Sequence, residues 1–270
     1  MKVPVTISYS ALTDYKDCPR YYKLKRIDKL KPFEGTVWTH FGTLIHKYLQ
    51  SVLANEIGGE EAAKKMKRTW LRYCRLYKKN IIKEHGTEAK NIIGIYIPAR
   101  KSIETVVDIF EKKFGKFKVL SIEEKLYTPS STKHPQTFVG YIDLVIKTAD
   151  GKIIIIDFKT CSSGFMFGKY QDKYKDYQLS LYKNFYQIVH SIDPKSIETY
   201  FVTIERAIKS KKPLKMVRVT SGPKKLRNAL EWLDNVLDGV NRRVFVKKKT
   251  NCYKYGEKYP CFFCGTGHCK

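Results

Sequence analysis

Gly140-Tyr141-Ile142-Asp143 and Lys152-Ile153-Ile154-Ile155-Ile156-Asp157-Phe158-Lys159 are the two runs on which the fold turns. Four consecutive isoleucines are too uniformly apolar for a strand with one wet face, so the second run belongs at the centre of a sheet covered on both sides. Asp157 and Lys159, two apart, then project to the same side while Phe158 points away into packing. Ala149-Asp150-Gly151 is the turn between the runs. A three-residue loop with Gly151 in the left-handed region would set Asp143 opposite Asp157; a two-residue loop would set it opposite Phe158 and point the carboxylates apart. Two carboxylates and an ammonium inside apolar sheet are costly unless a cation or substrate uses them. The odd-length loop would make a site for Mg²⁺ or Mn²⁺, with water and a phosphate oxygen completing the shell and Lys159 orienting or deprotonating the attacking water. A structural ion pair at a strand end is the plainer reading of the same spacing.

The remaining chain supports a nucleic-acid reading. Its 270 residues suffice for a substantial core without a disulfide framework, and 52 Lys+Arg against 26 Asp+Glu give a net charge of +26 spread along the chain. Such a balance points to a polyanionic partner, although a lysine-rich composition that mainly confers solubility has the same look. The N-terminal residues lack the apolar segment of a signal peptide and no run reaches membrane-spanning length, so an intracellular, cytoplasmic protein with no membrane partner is expected.

Ser8-Tyr9-Ser10-Ala11-Leu12 begins a helix capped by Ser8 or Ser10, interrupted at Cys18-Pro19. Thr36 to Gly42 reads as a connection. Leu44, Ile45, Tyr48, Leu49, Val52 and Leu53 then recur at helical spacing, with His46 on the flank, where a lone histidine is ordinarily an edge residue. Gly59 to about Lys83 is helical and very basic, its cations interleaved with Trp70, Tyr73 and Tyr77, either as a solvated face or as a guide for a nucleic-acid strand. Ile103 to Phe114 closes a mainly helical part. Strands are expected at Phe117 to Leu126, Thr137 to Lys147, Lys152 to Phe158, Glu198 to Glu205 and Lys215 to Thr220. Helices are expected at Lys175 to Ile188, with Gln178 and Tyr182 on one face, and from Pro223 to about Val240. The chain reads as a single domain over 1–270: a helical part over 1–115, a catalytic sheet core over 116–220, and a helix with a Cys-rich tail over 221–270.

His46 in Gly42-Thr43-Leu44-Ile45-His46, Gly140-Tyr141-Ile142-Asp143, Asp157-Phe158-Lys159-Thr160 and Gln178-Leu179-Ser180-Leu181-Tyr182, in that order, resemble the PD-(D/E)XK nuclease superfamily in its RecB-like branch, which includes AddB and Cas4 exonucleases. The resemblance implies an α/β fold, a restriction-endonuclease-like core with a central mixed β-sheet flanked by helices. It implies metal ligation by His46, Asp143, Asp157 and the main-chain carbonyl of Phe158, with Lys159 as the catalytic lysine and Gln178 and Tyr182 positioning the DNA and the lysine. The expected activity is a metal-dependent DNA exonuclease acting on single strands or ends, in recombination, repair, CRISPR adaptation or virus genome processing. Protein partners from those processes, or self-assembly, would be compatible with it. The alternative is a nucleic-acid-binding module that keeps the fold without turnover.

In the same branch, a Cys-Pro near the start and three C-terminal cysteines hold a [4Fe-4S] cluster. Here Cys18 would pair with Cys261, Cys264 and Cys269, a set whose last spacing is one residue shorter than the branch pattern. Cys252 is a fifth thiol, so Cys18 with Cys252, Cys261 and Cys269 is a variant. The four tail cysteines alone could instead bind Zn²⁺ as a small knuckle with Cys18 merely buried. Cys74 and Cys161 read as ordinary thiols.

Overall fold

The computed structural model describes residues 3–30, 36–161, 173–210, 213–252 and 261–269. The chain opens with strand β1 (Thr6–Ile7) and helices α1 (Tyr9–Asp17) and α2 (Pro19–Tyr22), the latter running into a π-helical turn at Lys23–Ile27. Ser8 caps α1 by accepting from the Ala11 amide, and Pro19 occupies the first position of α2, where its missing N–H is no loss. Next come α3 (Val37–Leu53), α4 (Gly59–Leu76), α5 (Lys78–His85), α6 (Ala89–Gly94) and α7 (Tyr96–Phe114). Strands β2 (Phe117–Pro129), β3 (Thr137–Thr148) and β4 (Ile153–Cys161) follow, then α8 (Lys173–His190), β5 (Ile197–Glu205), β6 (Leu214–Val219) and α9 (Pro223–Asn241), with the short α10 (Lys249–Cys252) and α11 (Phe262–Gly265) in the tail.

One expectation is corrected. Thr36 to Gly42 is no connection: Thr36 caps α3, its hydroxyl accepting from the Thr39 amide at 3.2 Å, and the helix runs from Val37. Burial of Val37 and Phe41 on the same stripe as Ile45 and Leu49 outweighs the weak helix propensity of the threonines and Gly42.

β2, β3 and β4 form an antiparallel meander, β5 joins β4 in parallel through α8, β6 is antiparallel to β5, and β1 pairs in parallel with the start of β3. The result is a mixed central sheet flanked by helices, as the sequence implies. On β4, Ile154, Ile156 and Phe158 pack under α3, α4 and α7, while Ile153 and Ile155 pack under α1, α8 and α9. The isoleucine run is thus a central strand, buried on both faces.

Gly151 has φ +86° and the Thr148 amide donates to the Lys152 carbonyl at 2.9 Å, closing the three-residue loop. The ladder above it pairs Lys147 with Ile153 and Leu144 with Ile156. Continued by one step, that register brings Asp143 level with Asp157.

Candidate metal centre and active site

β3, β4, α3 and α8 each deliver part of one polar cluster. Asp157 is fully enclosed, its Oδ1 accepting from Gln178 Nε2 at 2.7 Å and its Oδ2 lying 2.6 Å from the Lys159 ammonium. Oδ2 has no directed hydrogen bond besides that ion pair, so charge governs the contact. The ladder stops at Asp143, and the Phe158 amide there donates to Asp143 Oδ2 at 2.6 Å. His46 on α3 brings Nδ1 to 3.7 Å from the same oxygen.

Burial, then the facing Asp157, pushes the Asp143 carboxyl well above the usual range; Lys159 and the Phe158 amide act against this without cancelling it. Burial also raises Asp157 despite Lys159. For Lys159 burial works downward, but the two carboxylates outweigh it and hold the amine in its charged form. His46 is lowered to about 4 by burial and by Lys159, so at neutral pH its imidazole is uncharged with a lone pair to offer. Two desolvated carboxylates resisting ionisation beside a neutral imidazole form a donor set that fits a hard divalent cation. Among the described residues no three His, Cys, Asp or Glu groups already form a finished metal cage.

Gln178 and Tyr182 share the face of α8 turned to Asp157, with Gln178 Nε2 3.3 Å from Tyr182 Oη. Burial and Asp157 raise the Tyr182 phenol, which keeps its proton as a donor. Gly140 makes room for this ring: a Cβ there would come within 2.8 Å of Tyr182 Cε1 and 3.1 Å of Phe138 Cε1. Gly140→Ala is therefore expected to lower stability by ~1–3 kcal/mol, as overpacking does, and to lower the cleavage rate by loosening Gln178 from Asp157. Thermal melts and initial rates check this, and an unchanged melting temperature would contradict the packing described.

Two residues here escaped the sequence reading. Glu123 lies between the pairs Ile122–Leu144 and Glu124–Ile142, facing Asp143, with φ +50°. Gln50 on α3 donates to Glu123 Oε1 at 2.7 Å and to the Asp143 carbonyl at 2.9 Å, fixing both strands. The strand face also slips at this point, since Ile142 packs under α8 and Leu144 under α3. Glu123 is a third acidic group able to share a cation with Asp143, and it lines a cleft of ≈ 580 Å³ with His46, Lys47 and Gln50. A second cleft of ≈ 530 Å³ continues past His46 to Lys159, Thr160, Trp38 and Arg206.

On α4 the expected strand guide needs revision. Trp70 is buried, its Nε1 donating to the Ile93 carbonyl at 3.0 Å, so it cannot meet a base. Lys64 and Lys65 pair with Glu60 and Glu61 one turn earlier. Exposed Arg68, Arg72, Arg75, Lys78 and Lys79 remain open to solvent, as do the rings of exposed His40, half-buried Tyr73 and exposed Tyr77, which meet at tilted contacts of 4.9 and 4.7 Å.

In the tail, burial and contacts with Cys252, Cys261 and Cys269 push the Cys264 thiol up. Cys18 lies beside this group across Lys248: its Sγ accepts from the Lys248 amide at 3.5 Å, whereas Cys252 Sγ donates to the Lys248 carbonyl at 3.5 Å. Cys74 and Cys161 are buried thiols, the latter's Sγ donating to the Ile204 carbonyl at 3.8 Å. Among the described residues no helix is long and apolar enough to cross a membrane.

No curated protein matches the chain. A solved structure from Eubacterium rectale, named as a candidate exonuclease, aligns with TM-score 0.54 at 12% identity, covering 92% of this chain and 86% of the other. A second, SSO0001, covers 98% and 86% at 13% identity, with a TM-score of 0.37 that is too low to bear on the fold. The PD-(D/E)XK nuclease superfamily pattern matches residues 6–269. Spanning nearly the whole sequence, that match identifies the chain as a member of the PD-(D/E)XK nuclease superfamily.

Proposed function

We propose that the chain is a metal-dependent deoxyribonuclease of the RecB-like branch that hydrolyses phosphodiester bonds at DNA ends or in single strands, with parts 1–115, 116–220 and 221–270 acting as one unit. The observation that carries this reading is the buried Asp143, Asp157 and Lys159 cluster, opening beside a neutral His46 into the cleft. Asp143, Asp157, His46 and the Phe158 carbonyl would hold Mg²⁺ or Mn²⁺. When bound, the cation supplies Lewis acidity to the scissile phosphate and its attacking water. Lys159, charged while both carboxylates face it, donates to a phosphate oxygen or orients the water; Gln178 and Tyr182 keep Asp157 aimed. The basic surface of α4 and α5 would hold the strand away from the reacting bond. Incubation of end-labelled single- and double-stranded DNA with Mg²⁺, Mn²⁺ or EDTA, with either end blocked, tests the reading. Undegraded DNA under every metal condition would instead favour the binding module without turnover.

The tail would bind a [4Fe-4S] cluster through Cys18, Cys261, Cys264 and Cys269. An N–H donated to Cys18 Sγ suits a thiolate ligand, whereas the contact of Cys252 Sγ with the Lys248 carbonyl favours Cys252 as the thiol outside the ligand set. The mutual contact of the four tail thiols supports the alternative, a single Zn²⁺.

Because the Asp143 and Asp157 pKa values are raised, the metal-free fold loses stability as pH climbs from the ordinary carboxylate range through the raised values. Mg²⁺ or Mn²⁺ is expected to offset this, with a gain of ~2.7 kcal/mol at 100-fold above Kd. Asp143→Asn should remove one of the two opposed charges while keeping an acceptor for the Phe158 amide. It is therefore expected to melt higher than the parent without metal at pH 8, less so at pH 5, and to lose the metal-induced gain. A lower metal-free melting temperature at pH 8 would sink this account of the cluster.

A further inference from the structure

Arg206 follows the end of β5, its amide donating to the Cys161 carbonyl at 2.8 Å beside the last pair of the β4–β5 ladder, Cys161 with Glu205. Its guanidinium lies 4.1 Å from the centre of the Trp38 ring, and the edge of His85 on α5 meets that ring at 5.9 Å, 69° from parallel. Among the described residues this guanidinium makes no hydrogen bond or ion pair, and its Nε is closed off from water with no partner. Half-buried, it is disfavoured as a cation by desolvation. An arginine so placed carries an unmet demand for an anion. Its stacking on an indole fixes the plane of its donors, a pre-organisation suited to a phosphate rather than a loose ion pair.

The location says which anion. Arg206 lines the same ≈ 530 Å³ cleft as Lys159, Thr160, Thr43 and His46. Thr203 pairs with Lys159, so Arg206, three residues beyond Thr203 and just past the end of β5, lies ~10 Å along the sheet from Lys159. We propose that Arg206, braced on Trp38, is a positioning residue that grips a backbone phosphate of the substrate strand a short way from the scissile bond. It thereby sets which bond reaches Lys159. The assignment rests on reading the cleft as the nuclease site.

The experiment measures binding of a dye-labelled single-stranded oligonucleotide in Ca²⁺ by anisotropy across a salt series, and cleavage in Mn²⁺, for the parent, R206Q, R206K and the exposed-charge control K101Q. R206Q is expected to bind on the order of tenfold more weakly, with a salt slope shallower by ~0.7. R206K should recover the slope but not the affinity, and K101Q should match the parent. In cleavage R206Q should raise KM with little change in kcat. A neutral methylphosphonate walked along the oligonucleotide should weaken the parent at one position where R206Q is already indifferent. A loss confined to folding would lack that position and so overturns the proposal. Parental affinity and slope in R206Q overturn it too, while cleavage by the parent leaves the nuclease reading standing. Failure of the parent to cleave sinks the nuclease reading, and the phosphate walk still decides whether Arg206 grips the strand.

Discussion

Lys159→Ala is expected to reduce cleavage by ~10²–10⁴-fold, the range for a positioned proton-transfer or oxyanion-stabilising group, while DNA affinity stays within about twofold because binding draws on many phosphate contacts. The asymmetry follows from placement. Lys159 is one cation among 52 basic residues, but among the described residues it alone sits 2.6 Å from Asp157 at the floor of the cleft. Its removal leaves Asp143 and Asp157 facing each other without a counter-charge, so both resist ionisation further and metal affinity falls as well. Initial rates over a Mn²⁺ series separate the two effects: excess metal should restore occupancy of the site without restoring the rate. Asp157→Ala is the harsher change. It strands the Lys159 ammonium in a buried site, where breaking one partner of such a pair costs about 3–5 kcal/mol; its melting temperature must therefore accompany its rate. Metal-dependent digestion at the parental rate in both variants would remove these residues from the active site.

What could be read from sequence is what local chemistry determines. Gly151 after Ala149-Asp150 requires a positive φ, and that one requirement sets the register that levels Asp143 with Asp157. Gly140 was legible as part of a motif, while its physical reason, the Tyr182 ring lying against it, belongs to a helix some forty residues away. Glu123 stayed hidden because a non-glycine residue at positive φ has no compositional signature. The available hint was the broken alternation of Ser121-Ile122-Glu123-Glu124, which follows directly on the register shift between Val119 and Ser121. Arg206 and Trp38 have no local pattern for a different reason: only the packing of α3 over the β4–β5 pair brings them to one cleft. Trp70 was misassigned because helical spacing places it beside Tyr73 without saying which side of α4 the core takes.

Cys18→Ser is expected to abolish visible absorption in protein purified without oxygen and to lower the melting temperature on the order of 10 °C, while Cys252→Ser keeps both. The size of the effect comes from chain topology. A ligand at Cys18 joined to Cys261, Cys264 and Cys269 closes a loop of nearly the whole chain, and cross-links over long loops are worth on the order of 5 kcal/mol when the entropic account holds. Contacts independent of any metal already fasten the same ends: Tyr15 Oη donates to the Val244 carbonyl at 2.7 Å, Arg20 N to the Val246 carbonyl at 3.3 Å, and the Tyr21 and Phe263 rings meet at 5.1 Å. These reduce the loop that remains open, so a fall smaller than the full entropic figure is consistent with a cluster. The two variants separate the chemistries. Zinc held by the four tail cysteines would leave Cys18→Ser colourless like its parent and fully loaded with zinc, and Cys252→Ser would lose the metal. Iron analysis with sulfide determination on the parent decides between them: iron absent and zinc stoichiometric would overturn the cluster, and would place Cys18 among the buried thiols that only pack.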